Sequence, residues 1–226
     1  MSSLLQAFGT REYADNACAV PVCLNTDAPD LKKAKTLLKK LNDIFNVASE
    51  GKIGFILYGG ALRDQYLHEN DFAHNHIHDL DIIASVPEIF KDKNFLSIPD
   101  IINALYTLQK TGFIEKLRFN DRHFDQFREG SFANVNFNFG GIRVDLKLVN
   151  TSITHEMIAL HGDATINAIA MNSDGNVLAH ERLPDDAAGA LYRCRVVTGK
   201  ERGISEQRYN RFSKRPGRDG FHFEYA

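Results

Sequence analysis

The stretch Tyr58-Gly59-Gly60-Ala61-Leu62-Arg63-Asp64 contains the residues that decide the fold of this 226-residue chain. The short apolar run from Ile53 to Tyr58 predicts a buried strand, and a helix is expected from Ala61 to about Leu67. A Gly-Gly turn that opens a helix offers backbone N–H groups and the positive end of the helix dipole to a phosphate group. The stretch therefore predicts a strand, a phosphate-binding turn and a helix.

Two aspartates follow in the next predicted strand, which runs from Asp79 to Val86. Side chains at i and i+2 of a strand point to the same side, so the carboxylates of Asp79 and Asp81 are expected to converge. Such oxygen ligands suit Mg²⁺, with Mn²⁺ as an alternative, because Mg²⁺ shares itself with substrate phosphates. Two ions of this kind can activate a hydroxyl and neutralise a pyrophosphate leaving group. The pair predicts a two-metal site that acts on a nucleoside triphosphate.

A hairpin is predicted from Ala133 to Val149, because alternating apolar and polar residues flank Gly140-Gly141. In that register Asn136 lies opposite Asp145 on the polar face. Asp145 is thus the candidate third carboxylate, a metal ligand and catalytic residue held on a rigid element.

The other elements predict an α+β (mixed α/β) fold, in which helices flank a small mixed sheet. A helix is expected from Leu31 to Ala48 with Asp30 as its N-cap. Another is expected from about Pro99 to Thr111, with Gly112 as its stop. Residues 163–171 are expected to form a short helix or turn.

Three units are predicted along the chain: a lead-in segment at 1–28, a head domain at 29–183, and a basic extension or minimal neck at 184–226. The net charge is −2. Residues 193–218, in contrast, hold nine arginines and lysines against two glutamates, a balance suited to phosphates. No apolar run approaches the roughly 18 residues that span a bilayer, so no membrane association is expected. Cys18, Cys23 and Cys194 predict reduced, partly buried thiols in a cytoplasmic protein.

Three motifs carry a resemblance to a known family: the 58–64 stretch, Asp79-Leu80-Asp81, and Asp163-Ala164-Thr165-Ile166-Asn167-Ala168-Ile169-Ala170. Together they resemble the polymerase-β-type nucleotidyltransferase head domain, most closely that of the class II CCA-adding enzymes (tRNA nucleotidyltransferases) and bacterial poly(A) polymerases. The resemblance spans roughly residues 53–183. It implies metal-dependent transfer of a nucleoside monophosphate from ATP or CTP to an RNA 3′ end, such as that of tRNA, with release of pyrophosphate.

The resemblance also implies residue roles. Asp79 and Asp81 become metal ligands, and Asp145 takes the place of the carboxylate that helps to deprotonate the acceptor. Asp64 has a structural role that orients its helix. The implied nucleotide-binding residues are Gly59, Gly60, Arg63, Asp163, Asn167, Arg208 and Arg211. The family has two arginines directly before the aspartate that Asp163 matches. This chain has His161-Gly162 there, so that triphosphate contact is not carried over.

Other interpretations stay open. The enzyme could transfer a nucleotide to a protein or a small molecule, or the chain could be a non-catalytic nucleotide- or RNA-binding module. His74, His76 and His78 favour a mobile, solvated loop over the active site; a zinc site is the alternative, although the order of ligands differs from that of known hydrolase motifs. Tyr209 and Phe212 are candidates for base stacking. A short head domain also has reason to form an oligomer, which would complete a grip on RNA.

Overall fold

The computed structural model describes residues 17–49, 54–72, 77–85, 98–119, 132–149, 153–195 and 202–225. The strands are β1 (Ala19–Pro21), β2 (Gly54–Tyr58), β3 (Asp79–Ser85), β4 (Glu115–Phe119), β5 (Phe132–Phe139), β6 (Ile142–Val149), β7 (Ile169–Met171), β8 (Val177–His180), β9 (Leu191–Cys194) and β10 (His222–Tyr225). The helices are α1 (Pro29–Ser49), α2 (Gly60–Glu69), α3 (Ile98–Lys110), α4 (His155–Ala159), α5 (Leu183–Ala188) and α6 (Arg202–Ser213), with a 3₁₀ turn at Thr165–Asn167.

Most of the described strands form one mixed sheet of eight strands in the order β1-β8-β7-β2-β3-β6-β5-β4. Strands β3 and β6 run parallel, and the other neighbours within this sheet are antiparallel. Strands β9 and β10 form a separate parallel pair. The α+β fold class is therefore confirmed, with a larger sheet than the small one that was predicted.

The two faces of the sheet are covered differently. Leu80 and Ile82 of β3 pack in the main core with the leucines of α1 and with α2 and α3. Ile83, on the opposite face of β3, packs in a smaller cluster with Ile158 and Ala159 near α4. Because side chains alternate along a strand, Asp79 and Asp81 point to the side of α4, away from the main core.

The helix and hairpin predictions are confirmed with small shifts. Helix α1 begins at Pro29, so Asp30 lies in its first turn and is not its N-cap; an acidic residue is favourable there because it faces the positive end of the helix dipole. Helix α3 ends before Gly112, whose φ is +72°. The β5–β6 loop is Gly140-Gly141, with φ of +55° and +83°, as a tight hairpin turn requires.

Six of the described strands were not predicted, namely β1, β4, β7, β8, β9 and β10, and all but β4 have only three or four residues. Residues 19–21, within the supposed lead-in, form β1 at the edge of the sheet and pair with 178–180 of β8. Residues 163–171 form the expected turn only as far as Asn167 and then continue into β7, which pairs with β8. Strands of three or four residues are too short for a hydrophobic period to reveal them.

The C-terminal part of the chain shares the core of the head domain. Tyr192, Phe212 and Phe221 are at most 3% exposed and belong to the main core cluster. The described residues of 184–226 therefore pack into the same hydrophobic core as the head domain. Within the described ranges, no helix combines the length and the apolar character that a membrane span needs. Cys194 is buried, whereas Cys18 and Cys23 are exposed and so are not the partly buried thiols expected; all three are free.

Candidate active site

The glycine turn, Gly59-Gly60, joins β2 to α2 through Gly59, whose φ of +74° favours glycine. Its N–H donates to the carbonyl of Ile169 at 3.0 Å, and its carbonyl accepts from the N–H of Arg63 at 3.0 Å. The turn is thus held between β7 and the first turn of α2. Helix α2 begins at Gly60, so its first N–H groups have no partners within the helix and are available to an anion.

The carboxylates stand side by side on β3 and β6. Asp81 is the register partner of Asp145 across the parallel pair, and of Tyr58 across the antiparallel pair with β2. Burial, together with the charges of Asp79 and Asp145, raises the pKa of Asp81 to about 6, although Lys147 and Arg143 oppose the shift. Burial raises the pKa of Tyr58 on the same side of the sheet, and the negative charges of Asp81 and Asp145 raise it further. The site therefore holds an excess of negative charge.

Asp145 has partners of its own. Its Oδ1 accepts hydrogen bonds from the side-chain amide of Asn136, the predicted register partner, and from Nε of Arg143 at 3.1 Å. Arg143 also places Nη2 3.0 Å from the same oxygen. In this arrangement Asp145 is turned toward the hairpin.

The three carboxylates have the chemistry to bind a divalent cation. Asp79, Asp81 and Asp145 are oxygen donors on one face of adjacent strands, and their mutual repulsion is what a cation would relieve. Over the ranges that the structure describes, however, no three acidic, histidine or cysteine side chains are gathered into a ready metal-binding group. Asp145 would have to turn from Arg143 to complete the set.

A cleft of about 420 Å³ brings the predicted residues together. The predicted site residues that line it are Gly59, Gly60, Arg63, Asp79, Asp81, Asp163, Asn167, Arg208 and Arg211. Asp145 is not among the lining residues, in keeping with its contact to Arg143. Further lining residues are Tyr58, Lys147, His161, Gly162, Tyr192, Phe212 and Arg215.

Arg63 and Asp64 pair inside the protein and not on a helix surface. Nε of Arg63 donates to Asp64 Oδ1 at 2.7 Å, and its Nη1 donates to Asn167 Oδ1 at 2.5 Å. Burial alone would lower the pKa of Arg63, but the adjacent Asp64 carboxylate raises it. Asp64 also receives Arg215 and Arg218 from the C-terminal part of the chain. Asp64 therefore links α2 to that distant segment.

A second polar network continues from Asn167, which accepts the hydrogen bond from Arg63. The amide nitrogen of Asn167 donates to Asp163 Oδ1 at 2.9 Å and to the Tyr192 hydroxyl at 2.8 Å. Asp163 Oδ2 lies 3.1 Å from Nη1 of Arg208, as an ion pair that lacks hydrogen-bond alignment. Burial and the Asp163 charge raise the pKa of Tyr192. This part of the cleft is consequently pre-arranged by contacts between α6, β9 and the 3₁₀ turn.

The position of His161-Gly162 has a steric explanation. A Cβ on Gly162 would lie 2.3 Å from the backbone nitrogen of Ala168 and 2.5 Å from the carbonyl carbon of Asn167. Arg195 holds the same loop through the carbonyls of Leu160 and Gly162. A side chain at 162 would therefore require the backbone of Asn167 and Ala168 to shift from the position seen here.

The base-stacking prediction is wrong for Phe212. Its ring is 3% exposed, packs on Tyr192, and lies 5.0 Å and 4.8 Å from the guanidinium carbons of Arg63 and Arg218. Tyr209 is half-buried, and its hydroxyl donates to the carbonyl of Phe221 at 2.6 Å. Both rings fasten α6 to the core.

Several residues that line the cleft were not predicted as site residues from the sequence. Tyr58 and Lys147 could have been found from strand parity, since Tyr58 adjoins the glycine turn and Lys147 lies two residues after Asp145. Tyr192 and Arg215 reach the cleft only through tertiary packing. For the zinc hypothesis, His78 is exposed, and His74 and His76 lie outside the described residues.

No protein-family model and no curated protein matches the chain. Solved structures do. The chain is similar to a CCA-adding enzyme with ATP (19% identity, TM-score 0.56) over 92% of its own length and 44% of that enzyme. It is also similar to the Thermotoga maritima CCA-adding enzyme complexed with tRNA, with 18% identity, TM-score 0.55, and coverage of 92% and 43%. The Bacillus stearothermophilus CCA-adding enzyme in complex with CTP gives 16% identity, TM-score 0.50, and coverage of 88% and 41%.

The chain thus spans less than half the length of these enzymes while using nearly all of its own residues in the match. At this level of identity, what is shared is the fold. The chain has the fold of a polymerase-β-type nucleotidyltransferase head domain.

Proposed function

We propose that this chain is a metal-dependent nucleotidyltransferase that moves a nucleoside monophosphate from a nucleoside triphosphate to a hydroxyl acceptor, with an RNA 3′ end as the favoured acceptor. One observation carries the proposal. A single cleft has the carboxylates of Asp79 and Asp81 beside a glycine turn and a set of arginines. Acidic residues attract divalent cations, while the turn and the arginines attract phosphates, and nucleotidyl transfer needs both in one place.

Asp79 and Asp81 would hold Mg²⁺, with Mn²⁺ as an alternative, and Asp145 would join them from the neighbouring strand. When bound, the ions would acidify the acceptor hydroxyl and neutralise phosphate charge. The protein's own share is positioning, because phosphoryl transfer asks for little covalent help. The glycine turn and Arg63 would orient the triphosphate.

The acceptor oxygen forms a bond to the α-phosphorus while the bond from that phosphorus to the bridging α,β-oxygen breaks. Pyrophosphate leaves with the electron pair of the broken bond. We assign the acceptor proton to Asp145, which lies next to Asp81 in register and remains outside the cleft lining.

Two facts support RNA as the acceptor. The similar structures include a CCA-adding enzyme complexed with tRNA. Helix α6 also places Arg208 and Arg211 at the cleft, and cations there suit a nucleic-acid backbone. This chain matches only 43% of the tRNA-bound enzyme, so the choice between tRNA and other RNAs is a question for the experiment below.

The test is incubation of the purified protein with Mg²⁺, each labelled nucleoside triphosphate in turn, and a tRNA pool with trimmed 3′ ends. Label on the RNA that is absent with the Asp79→Ala/Asp81→Ala variant supports the proposal. Label on protein or on a small alcohol instead would replace the RNA acceptor by one of those. Triphosphate binding without any label would make the chain a binding module.

A further inference from the structure

Asp64 is the centre of a buried charge cluster. Its carboxylate is 2% exposed and lies 2.7 Å from Nε of Arg63, 2.9 Å from Nη1 of Arg215 and 2.7 Å from Nη2 of Arg218. Burial would raise the pKa of Asp64, but Arg63 and Arg218 outweigh it and hold the pKa below its usual value. Three guanidinium groups therefore meet one carboxylate, and the cluster has a surplus of positive charge.

The three arginines occupy different places. Arg63 and Arg215 line the cleft, whereas Arg218 is not among its lining residues and is 0% exposed. Arg218 lies beside the ring of Phe212, and in the described part of the chain its Nε and Nη1 have no hydrogen-bond acceptor. A buried guanidinium with unsatisfied donors destabilises the folded protein, and loss of the ion pair between Arg218 and Asp64 would destabilise it further.

Arg215 is the member that can serve a ligand. Its side chain is 33% exposed, and one of its nitrogens is held by Asp64 at 2.9 Å. A guanidinium has five N–H donors in a rigid fork, so donors remain after the Asp64 contact is made. The Asp64 contact therefore fixes the direction of the side chain without using up its capacity.

The lining residues His161 and Gly162 cannot supply the positive charge that the arginines bring to the cleft. Residue 162 is a glycine and supplies no side chain, and its neighbour His161 brings only an imidazole. Apart from Lys147 and Arg63, the arginines and lysines that line the cleft come from the C-terminal segment, here defined as residues 202–225. Their complement is a ligand with several negative charges close together.

We infer that Asp64 is a positioning residue that joins the glycine turn to the C-terminal segment, and that Arg215 contacts the polyphosphate of the bound nucleotide. This inference rests on the proposed function, since it assigns the triphosphate to the same cleft. It adds a phosphate contact from outside the three motifs and makes the C-terminal segment part of the nucleotide site.

The test measures binding of ATP, AMP and inorganic tripolyphosphate by calorimetry, with the wild type, Arg215→Ala and Arg215→Lys. Arg118→Ala, an exposed arginine on β4 away from the cleft, is the matched control. Arg215→Ala is expected to weaken ATP and tripolyphosphate about 10- to 100-fold, as for a lost charged hydrogen bond. AMP should change less than about twofold, and Arg215→Lys should recover part of the loss. Unchanged ATP and tripolyphosphate affinities in Arg215→Ala would overturn the inference.

The Asp64→Asn variant gives a second test, because the direction in which its affinity for tripolyphosphate changes distinguishes two roles for Asp64. If the Asp64 charge acted only through space, its removal would tighten tripolyphosphate binding. If Asp64 positions Arg215, binding weakens, and the Asp64→Asn/Arg215→Ala double variant loses little more than either single variant. Should Asp64→Asn fail to fold, the Arg215 variants still decide.

The two proposals fail in different ways. A wild type that binds neither ATP nor tripolyphosphate contradicts the proposed function and the inference together. Binding that is insensitive to Arg215 removes only the inference. Binding that depends on Arg215, with no transfer to any acceptor, keeps the inference and refutes the catalytic role.

Discussion

Asp81 on β3 and Asp145 on β6 are register partners in a parallel strand pair, so two carboxylates face the same side of the sheet from neighbouring strands. Neighbouring strands lie about 4.8 Å apart, a distance at which two buried like charges repel strongly. The metal-free protein therefore carries a stability cost at the position where a cation would be useful.

We expect Asp81→Asn to stabilise the metal-free protein. The pKa of Asp81 is raised from 3.8 to about 6, so between about pH 4 and pH 6 the native state holds a proton that the unfolded chain has released. Stability then falls as pH rises through this window, and the cost is constant above it. At pH 7.5 in EDTA the variant should gain about 1–3 kcal/mol in the free energy of unfolding. Thermal melts of both proteins between pH 4 and 8 measure this, and coinciding curves would refute it.

Mg²⁺ should reverse that order. Ion binding to the native state stabilises it by RT ln(1 + [Mg²⁺]/Kd), about 2.7 kcal/mol at 100-fold excess over Kd. The wild type should therefore melt at a higher temperature in Mg²⁺ than in EDTA, while Asp79→Ala/Asp81→Ala should melt at the same temperature in both.

Asp79→Ala alone should lower turnover on the order of 10³-fold, since loss of one metal ligand removes several kcal/mol of transition-state stabilisation. Full turnover by Asp79→Ala would show that the site is misassigned.

Arg143→Ala is expected to strengthen Mg²⁺ binding by a few fold. Arg143 competes with the ion for Asp145, because its guanidinium contacts the same carboxylate oxygen. The Arg143 side chain is 63% exposed, so loss of this surface pair should change the unfolding free energy by less than about 1 kcal/mol. Titration of Mg²⁺ by calorimetry, with Arg118→Ala as the comparison, tests this. Weaker binding would mean that Arg143 supports the site.

Gly162→Ala should destabilise the fold by about 2 kcal/mol or more, because the added methyl group meets the backbone at Ala168 at 2.3 Å. Gly54→Ala on β2 is the matched control, since a Cβ there would have nothing within 4 Å. Chemical denaturation of the two variants gives the comparison. Equal stabilities would show that the 160–163 loop can move away from the 3₁₀ turn.

The parts of the structure that the sequence predicted are those set by local rules. The Gly140-Gly141 hairpin, the parity of Asp79 and Asp81, and the glycine turn before α2 each depend on residues a few positions apart. Strand parity alone placed Asn136 opposite Asp145 correctly. Patterns of period two and of period 3.6 contain this information directly.

The parts that were missed depend on contacts between distant residues. Asp64 and Arg215 are 151 residues apart, and nothing near either one marks the other as its partner. Phe212 was assigned to base stacking because arginines flank it in the sequence, yet the packing of α6 turns it inward. Arg143 lies two residues before Asp145, and the same parity that predicted the carboxylate implied this cation beside it.

The distance between Asp64 and Arg215 also orders events during synthesis. At about 5–20 residues per second, a ribosome takes roughly 8–30 s to add the 151 residues that separate them. During that interval the nascent chain can pair Asp64 with Arg63 but has neither Arg215 nor Arg218. The cleft is therefore completed only after Arg208, Arg211 and Arg215 are added, and a chain released before residue 218 would leave Asp64 without Arg218.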